Sequence, residues 1–100
     1  MINVLAHYKV KDYQSWKSAF DSRSGLREAS GMQKWWISHA AGEPNNLVVW
    51  LEWDTLENAR KYFDDPELRK LLQEKTTVQP EILFLEEIAR GEAHRVTTLR

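Results

Sequence analysis

The three histidines of this sequence are the side chains best suited to acid–base chemistry near neutral pH. His7, His39 and His94 lack the spacing of a metal site, so we expect no bound metal. His7 and His39 share the strand parity of Glu52, and a histidine–glutamate pair on one sheet face can move protons. His7 is therefore a candidate catalytic residue; the alternative is a hydrogen-bonded histidine at an interface.

Other catalytic signatures are missing from the sequence. It contains no cysteine, which excludes disulfides and thiolate chemistry, and no glycine-rich phosphate loop or nucleophile elbow. Asp64 and Asp65 precede Pro66, where carboxylates typically cap a helix. Glu86 and Glu87 are adjacent in a predicted strand and so point to opposite faces. The sequence gives no support for a phosphate-containing cofactor.

Aromatic side chains form the other notable group. The chain of 100 residues has five tryptophans, and four of them fall in the stretch MQKWWISHAAGEPNNLVVWLEW. Such side chains at strand and helix spacing usually belong to a hydrophobic core. Large rings fill a thin domain less completely than aliphatic side chains do, so the alternative is a ligand pocket between helices and sheet.

The first half of the chain predicts a strand followed by a helix. Residues 1–10 alternate, with Ile2, Val4, Ala6 and Tyr8 on the more apolar face. Asp12 is a plausible N-cap, and Gly31 a plausible stop, for one helix with an aromatic stripe. That stripe consists of Tyr13, Trp16 and Phe20.

The second half predicts a hairpin, two helical segments and a last strand. Met32 to about Ala40 and Leu47 to Trp53 read as strands joined by the turn formers AGEPNN. Helical spacing follows Trp53, Pro66 opens a second segment, and EILFLEEI after Pro80 is rich in strand formers. We expect one domain over residues 1–90 and a C-terminal tail over residues 91–100.

This order predicts an α+β fold, the ferredoxin-like βαββαβ arrangement with a four-stranded antiparallel sheet and both helical segments on one face. The other face would expose a large apolar patch, and a second subunit is the expected cover. We therefore predict a homodimer in which two sheets join into an α/β barrel.

The parity of the hairpin sorts the tryptophans. Leu47, Val49, Leu51 and Trp53 form the more apolar set and are assigned to the helix side. Pairing across the hairpin is then expected to place Trp36 opposite Leu51, and Trp35 opposite Trp50 on the dimer side. The predicted substrate-binding residues, with Tyr62 beside them, are Trp16, Phe20, Trp36, Trp53 and Phe63.

Charge and hydropathy exclude two classes of partner. The formal net charge is −1 and the two signs are mixed along the chain, so a nucleic-acid partner is not expected. The first ten residues lack the apolar run of a signal peptide or membrane span. We expect a cytoplasmic protein that does not bind membranes.

The segments HYKVKDYQSWKSAFD, VVWLEWDTLENARKYFDDPELRKLL and PEILFLEEI, together with the PNN turn, resemble the antibiotic biosynthesis monooxygenase-like family of the dimeric α/β-barrel superfamily. The likeness extends to Ile88. It implies a cavity within each subunit and, for members acting on polycyclic phenols, oxygenation without metal or flavin. Tyr62 and Trp53 match the kinds of side chain that hold the substrate there, so Tyr62 is the second candidate catalytic residue.

Two functions follow as hypotheses. The first is a dimer, without cofactor, that binds an aromatic or hydrophobic metabolite and acts on it as a monooxygenase-like enzyme. The second is a non-catalytic structural or regulatory homodimer whose aromatic side chains are all core.

Overall fold

The computed structural model describes residues 1–93, so part of the predicted tail, with His94, lies outside the described residues. Four strands pair in the order β2-β3-β1-β4 and every pair is antiparallel, which confirms the predicted ferredoxin-like fold. The elements in chain order are β1 (Ile2–Lys9), α1 (Tyr13–Ser22), α2 (Ser24–Ala29), β2 (Met32–Ala40), β3 (Glu43–Trp53), α3 (Leu56–Phe63), α4 (Pro66–Lys75) and β4 (Glu81–Glu86).

The core lies between the helices and one face of the sheet. On β1, Val4, Ala6 and Tyr8 are buried. Ala6 pairs with Val49, and Val4 pairs with Leu51, so the same face of β3 is buried as well. This face matches the apolar parity predicted for both strands. The β3 side chains concerned are Leu47, Val49, Leu51 and Trp53.

The predicted single helix after Asp12 is two helices. Asp12 caps α1 as expected, accepting from the Ser15 amide at 2.9 Å. At the other end the Ser22 hydroxyl donates to the Ala19 carbonyl at 2.7 Å, a local bond that competes with the helical ladder. Arg23 then has non-helical backbone angles and joins α1 to α2. After this break, α2 contacts β2 and buries Arg27.

The predicted hairpin loop is shorter than expected. Ala41 and Gly42 form the whole turn, with Gly42 at a φ of +80°, and β3 begins at Glu43. The stretch EPNN therefore belongs to the strand. Among residues 1–93, no helix has the length and apolar character needed to cross a membrane.

Gly31 fixes the approach of β2 to the end of β3. Its φ is +111°, and a Cβ built there would lie 2.2 Å from the Asp54 Oδ1 atom. The Asp54 amide donates to the Gly31 carbonyl at 3.1 Å, while the Asp54 carboxylate accepts from the Thr55 amide at 2.7 Å. A side chain at residue 31 must displace this carboxylate.

We predict that Gly31→Ala lowers the free energy of unfolding by about 2–4 kcal/mol, since it adds a clash to an unfavourable backbone conformation. Gly42→Ala is the matched control, because Gly42 also has a positive φ but has open space around its Cβ position. It should cost about 1 kcal/mol. Urea unfolding measures both, and equal losses would show that the Asp54 contact does not matter.

Candidate functional site

A small cavity lies between the four helices and the buried face of the sheet. Its volume is about 30 Å³, room for about two water molecules. Most of the lining is aromatic or aliphatic, and the polar exceptions are a few tyrosine, arginine and lysine side chains. The aromatic members are Tyr8, Trp16, Phe20, Tyr62 and Phe63, and the basic members are Arg23, Arg27 and Lys75.

Four of the predicted binding and catalytic side chains line this cavity. Trp16 stacks on Phe20 with ring centroids 5.1 Å apart, and Tyr62 meets Phe63 edge to face at 5.2 Å. Trp53 packs beneath Tyr62 and Phe63, and its indole nitrogen donates to the Ser30 carbonyl at 3.0 Å. Trp53 is fully buried and supports the cavity wall without lining the cavity.

The predicted placement of Trp36 is wrong. A register shift between Met32 and Lys34 changes the parity of β2, so Trp36 pairs with Trp50 and Trp35 pairs with Leu51. Trp36 therefore lies on the open face of the sheet, where its ring stacks on Trp50 at 5.9 Å. Trp35 lies on the helix side and meets the edge of Phe20 at 5.1 Å.

The two candidate catalytic residues lie on opposite faces of the sheet. His7 is on the open face, where its Nε2 atom is 2.6 Å from the Asn46 Oδ1 and its Nδ1 atom is 3.5 Å from Glu81. Tyr62 lies at the cavity on the helix side. His7 and Tyr62 of one subunit cannot act on the same bound molecule.

The predicted cluster of His7, His39 and Glu52 is also wrong. His39 pairs with Leu47 and so has the helix-side parity, because the same register shift changed it. Its Nδ1 atom is 2.9 Å from the Ala40 carbonyl. Glu52 pairs with Asn3, on the open face but four positions along β1 from His7. The carboxylate beside His7 is that of Glu81.

Arg23 ties Tyr62 to Asp65 at the wall of the cavity. Its Nε donates to the Tyr62 hydroxyl oxygen at 3.1 Å, and its Nη2 donates to Asp65 at 2.8 Å. Burial alone would lower the pKa of Arg23, but these two bonds outweigh it and raise the pKa. Arg23 also holds the pKa of the Asp65 carboxyl below its usual range. Because the Tyr62 oxygen accepts from Arg23, its own hydrogen can be donated to a ligand.

Arg27 and Tyr8 line a more deeply buried part of the cavity. The Arg27 guanidinium lies 3.6 Å from the centre of the Phe20 ring, and its Nη1 donates to the Phe20 carbonyl at 2.6 Å. Burial, and to a smaller extent Tyr62, raises the pKa of Tyr8, whereas Arg27 acts in the opposite direction. Tyr8 is thus a neutral donor group at physiological pH.

Arg23 and Arg27 are site residues that the sequence reasoning missed. Trp16, Phe20, Arg23 and Arg27 follow one another at helical spacings of four, three and four residues, which places them along one stripe. The sequence predicts the aromatic half of that stripe, and the two arginines that continue the same spacing are the signal for the other half.

Two larger openings adjoin the cavity. Phe63 and Leu72 line both the cavity and a groove of about 620 Å³ between α4, residues 76–80 and β4. Arg23 and Tyr62 likewise also line a depression of about 390 Å³. Within the described part of the chain, no group of three or more His, Asp or Glu side chains is arranged to hold a metal ion.

Comparison with known proteins identifies the fold. No family model and no curated protein matches the sequence. A solved antibiotic biosynthesis monooxygenase matches with a TM-score of 0.69 at 10% identity, over 89% of this chain and 100% of that chain. SnoaB, a cofactor-independent oxygenase from Streptomyces nogalater, matches with a TM-score of 0.68 at 12% identity, over 90% and 97% of the two chains.

A third solved structure, Rv0793 from Mycobacterium tuberculosis, matches with a TM-score of 0.62 at 11% identity, over 91% of this chain and 98% of that chain. These likenesses show that the chain has the fold of antibiotic biosynthesis monooxygenase-like proteins. The resemblance predicted from the sequence is confirmed at the level of the fold.

We predict that Asp65→Asn lowers stability at neutral pH, because Arg23 loses its carboxylate partner. A carboxyl whose pKa is lower in the folded state than in the unfolded state contributes its full stability above the unfolded pKa. That contribution is lost as the pH falls through the folded-state pKa. The difference between wild type and Asp65→Asn should therefore shrink as the pH falls below 3.8. Thermal unfolding from pH 7 to pH 2 measures it.

The control is Asp64→Asn, which breaks an exposed ion pair with Arg69 and should change stability by less than about 1 kcal/mol. A constant difference for Asp65→Asn across the pH range would contradict the role given to its carboxylate.

Proposed function

We propose that this chain binds a planar aromatic molecule between its helices and sheet and oxygenates it without a metal or flavin. The observation that carries the proposal is an aromatic cavity with a directed hydroxyl, that of Tyr62, held in place by Arg23. The shared fold with a cofactor-independent oxygenase supports it as an analogy.

Such a reaction takes its electrons from the substrate. A ring methylene conjugated with a ring oxygen loses one proton to solvent, and the negative charge that remains is delocalised onto that oxygen. The methylene carbon then reacts with dioxygen and loses its second proton. One oxygen atom stays on that carbon as a carbonyl, and the other leaves with the two protons as water. The protein must therefore stabilise an anionic ring oxygen. The Tyr62 O–H group, polarised by the cationic Arg23, is suited to that task.

The volume of the cavity requires side chains to move before a ligand enters. Ligand pockets usually measure about 300–1,000 Å³, ten or more times the cavity between helices and sheet. Phe63 and Leu72 are half-buried and separate the cavity from the groove of about 620 Å³. Rotation of these two side chains would join the two spaces, so we propose them as the entrance.

The small volume also favours a second candidate function, the non-catalytic homodimer with its aromatics as core. In that case Trp16, Phe20 and Tyr62 stay packed and no aromatic probe enters. The two candidates differ in one measurable property, which is binding.

We predict that wild-type protein binds polycyclic phenols bearing a ring methylene, seen as quenching of tryptophan fluorescence, and consumes dioxygen with them. Tyr62→Phe keeps the ring but loses the donor, and should lower kcat about 100-fold or more while the quenching persists. An oxygen electrode and a fluorescence titration measure the two effects.

Tyr13→Phe is the matched control, because Tyr13 is a half-buried tyrosine that does not line the cavity. Its oxygen uptake should equal that of wild type. Quenching without oxygen uptake would retain the binding function and reject the oxygenase. If none of these phenols causes quenching or oxygen uptake, the non-catalytic dimer is favoured.

We also propose that the open face of the sheet joins a second copy of the chain. Trp36, Trp50, Leu5 and Leu83 are neighbours in register and form one apolar row across all four strands. Trp36 is 49% exposed and Leu83 is 48% exposed. An apolar row of this extent is typical of an interface.

The cytoplasmic location expected from the sequence stays a prediction.

We predict that Leu83→Lys yields a monomer while leaving the fold intact, because it places a charge within the apolar row of the proposed interface. Leu26→Lys is the control, since Leu26 is similarly exposed but lies on α2, away from this face. Sedimentation velocity measures the mass of each. A monomeric wild type at all concentrations would reject the interface.

A further inference from the structure

The charged side chains that line the cavity are all positive. Arg23, Arg27 and Lys75 line it, and none of the aspartates and glutamates of residues 1–93 does. The Asp65 carboxylate that pairs with Arg23 lies on the depression outside the cavity. A molecule inside the cavity therefore meets aromatic surface and positive charge.

The three cationic side chains differ in their hydrogen-bond and ion-pair partners. Arg23 bonds to Tyr62 and Asp65, and the Lys75 ammonium donates to the Ser15 hydroxyl at 2.7 Å. Arg27 is only 2% exposed, and no carboxylate within residues 1–93 lies within salt-bridge distance of it. Its Nε has no hydrogen-bond partner in that part of the chain.

A buried guanidinium without a counterion is costly to the folded protein. Stacking on Phe20 and one bond to the Phe20 carbonyl offset part of the cost, but neither supplies a negative charge. An anion in the cavity would supply both a charge and an acceptor for Nε. Guanidinium groups bind carboxylates especially well, since the two planar groups match in geometry.

We propose that Arg27 is a specificity-determining residue that binds a carboxylate on the aromatic ligand. This rests on the proposed binding function and narrows its ligand class to planar aromatic acids. The carboxylate lies against Arg27 on α2, and the ring system extends along Phe20 and Trp16 toward Tyr62.

The test uses the full chain and two probes of equal shape, 2-naphthoate and naphthalene-2-carboxamide, titrated by calorimetry at pH 7. Wild type should bind the carboxylate about tenfold or more tightly than the amide, as expected for a charge-assisted pair. Arg27→Met should abolish this preference by weakening the carboxylate about tenfold while changing the amide less than about twofold. Arg27→Lys should retain part of it.

Arg60→Met is the control, because Arg60 is exposed on α3 and does not line the cavity; it should keep the preference. Thermal unfolding without ligand gives an independent measurement. A ligand-directed Arg27 predicts that Arg27→Met is at least as stable as wild type, whereas a purely structural Arg27 predicts a clear loss.

Equal binding of the two probes by wild type, or equal weakening of both by Arg27→Met, would overturn the carboxylate inference and leave aromatic binding in place. Failure of wild type to bind either probe would instead overturn the binding function, and this inference with it.

Discussion

Within residues 1–93 the sheet carries helices on one face only, and this constraint determines what every strand residue can do. Successive side chains of a strand point to opposite faces. On the central strand β1, Val4 and Ala6 thus enter the core, while Leu5 lies on the open face between Trp50 and Leu83. The cavity and the proposed dimer interface occupy the two faces of the same strands.

The sequence alone predicts the fold well because its signals are periodic and repeated. Alternation in β1 and β3 identifies the buried face of each strand, and the cap Asp12 marks where α1 begins. Pro66 stands at the start of α4, as expected of proline. Each of these signals depends on near neighbours in the chain, which the sequence displays directly.

The side on which β2 places its tryptophans was not predictable in the same way. Trp35 and Trp36 had to separate, and they do, but the irregularity between Met32 and Lys34 exchanges their faces. A one-residue shift in a strand reverses every side chain beyond it. Nothing in residues 32–34 distinguishes a bulged strand from a regular one, since the shift depends on how β2 meets β3.

The two buried arginines show a second limit of prediction from the sequence. Charged residues usually mark the solvated side of a helix, so Arg23 and Arg27 read as surface although they continue the stripe of Trp16 and Phe20. Arg23 is buried against Tyr62 and Asp65, which lie about 40 positions away in the chain, and local spacing does not reveal such contacts. Arg27 is buried against Phe20 beyond the break at Arg23, which the sequence does not predict.

The volume of the cavity and the charge of its lining give opposite indications about whether it binds a ligand. A volume of about 30 Å³ suggests a filled core. Half-buried side chains such as Phe63 and Leu72 have other staggered rotamers to move to, so a small volume can be altered. A buried guanidinium without a counterion costs several kcal/mol, and Leu or Met at residue 27 would avoid that cost in a simple core. The charge at Arg27 is therefore the stronger evidence, and it favours a site in which an anionic ligand pairs with this guanidinium.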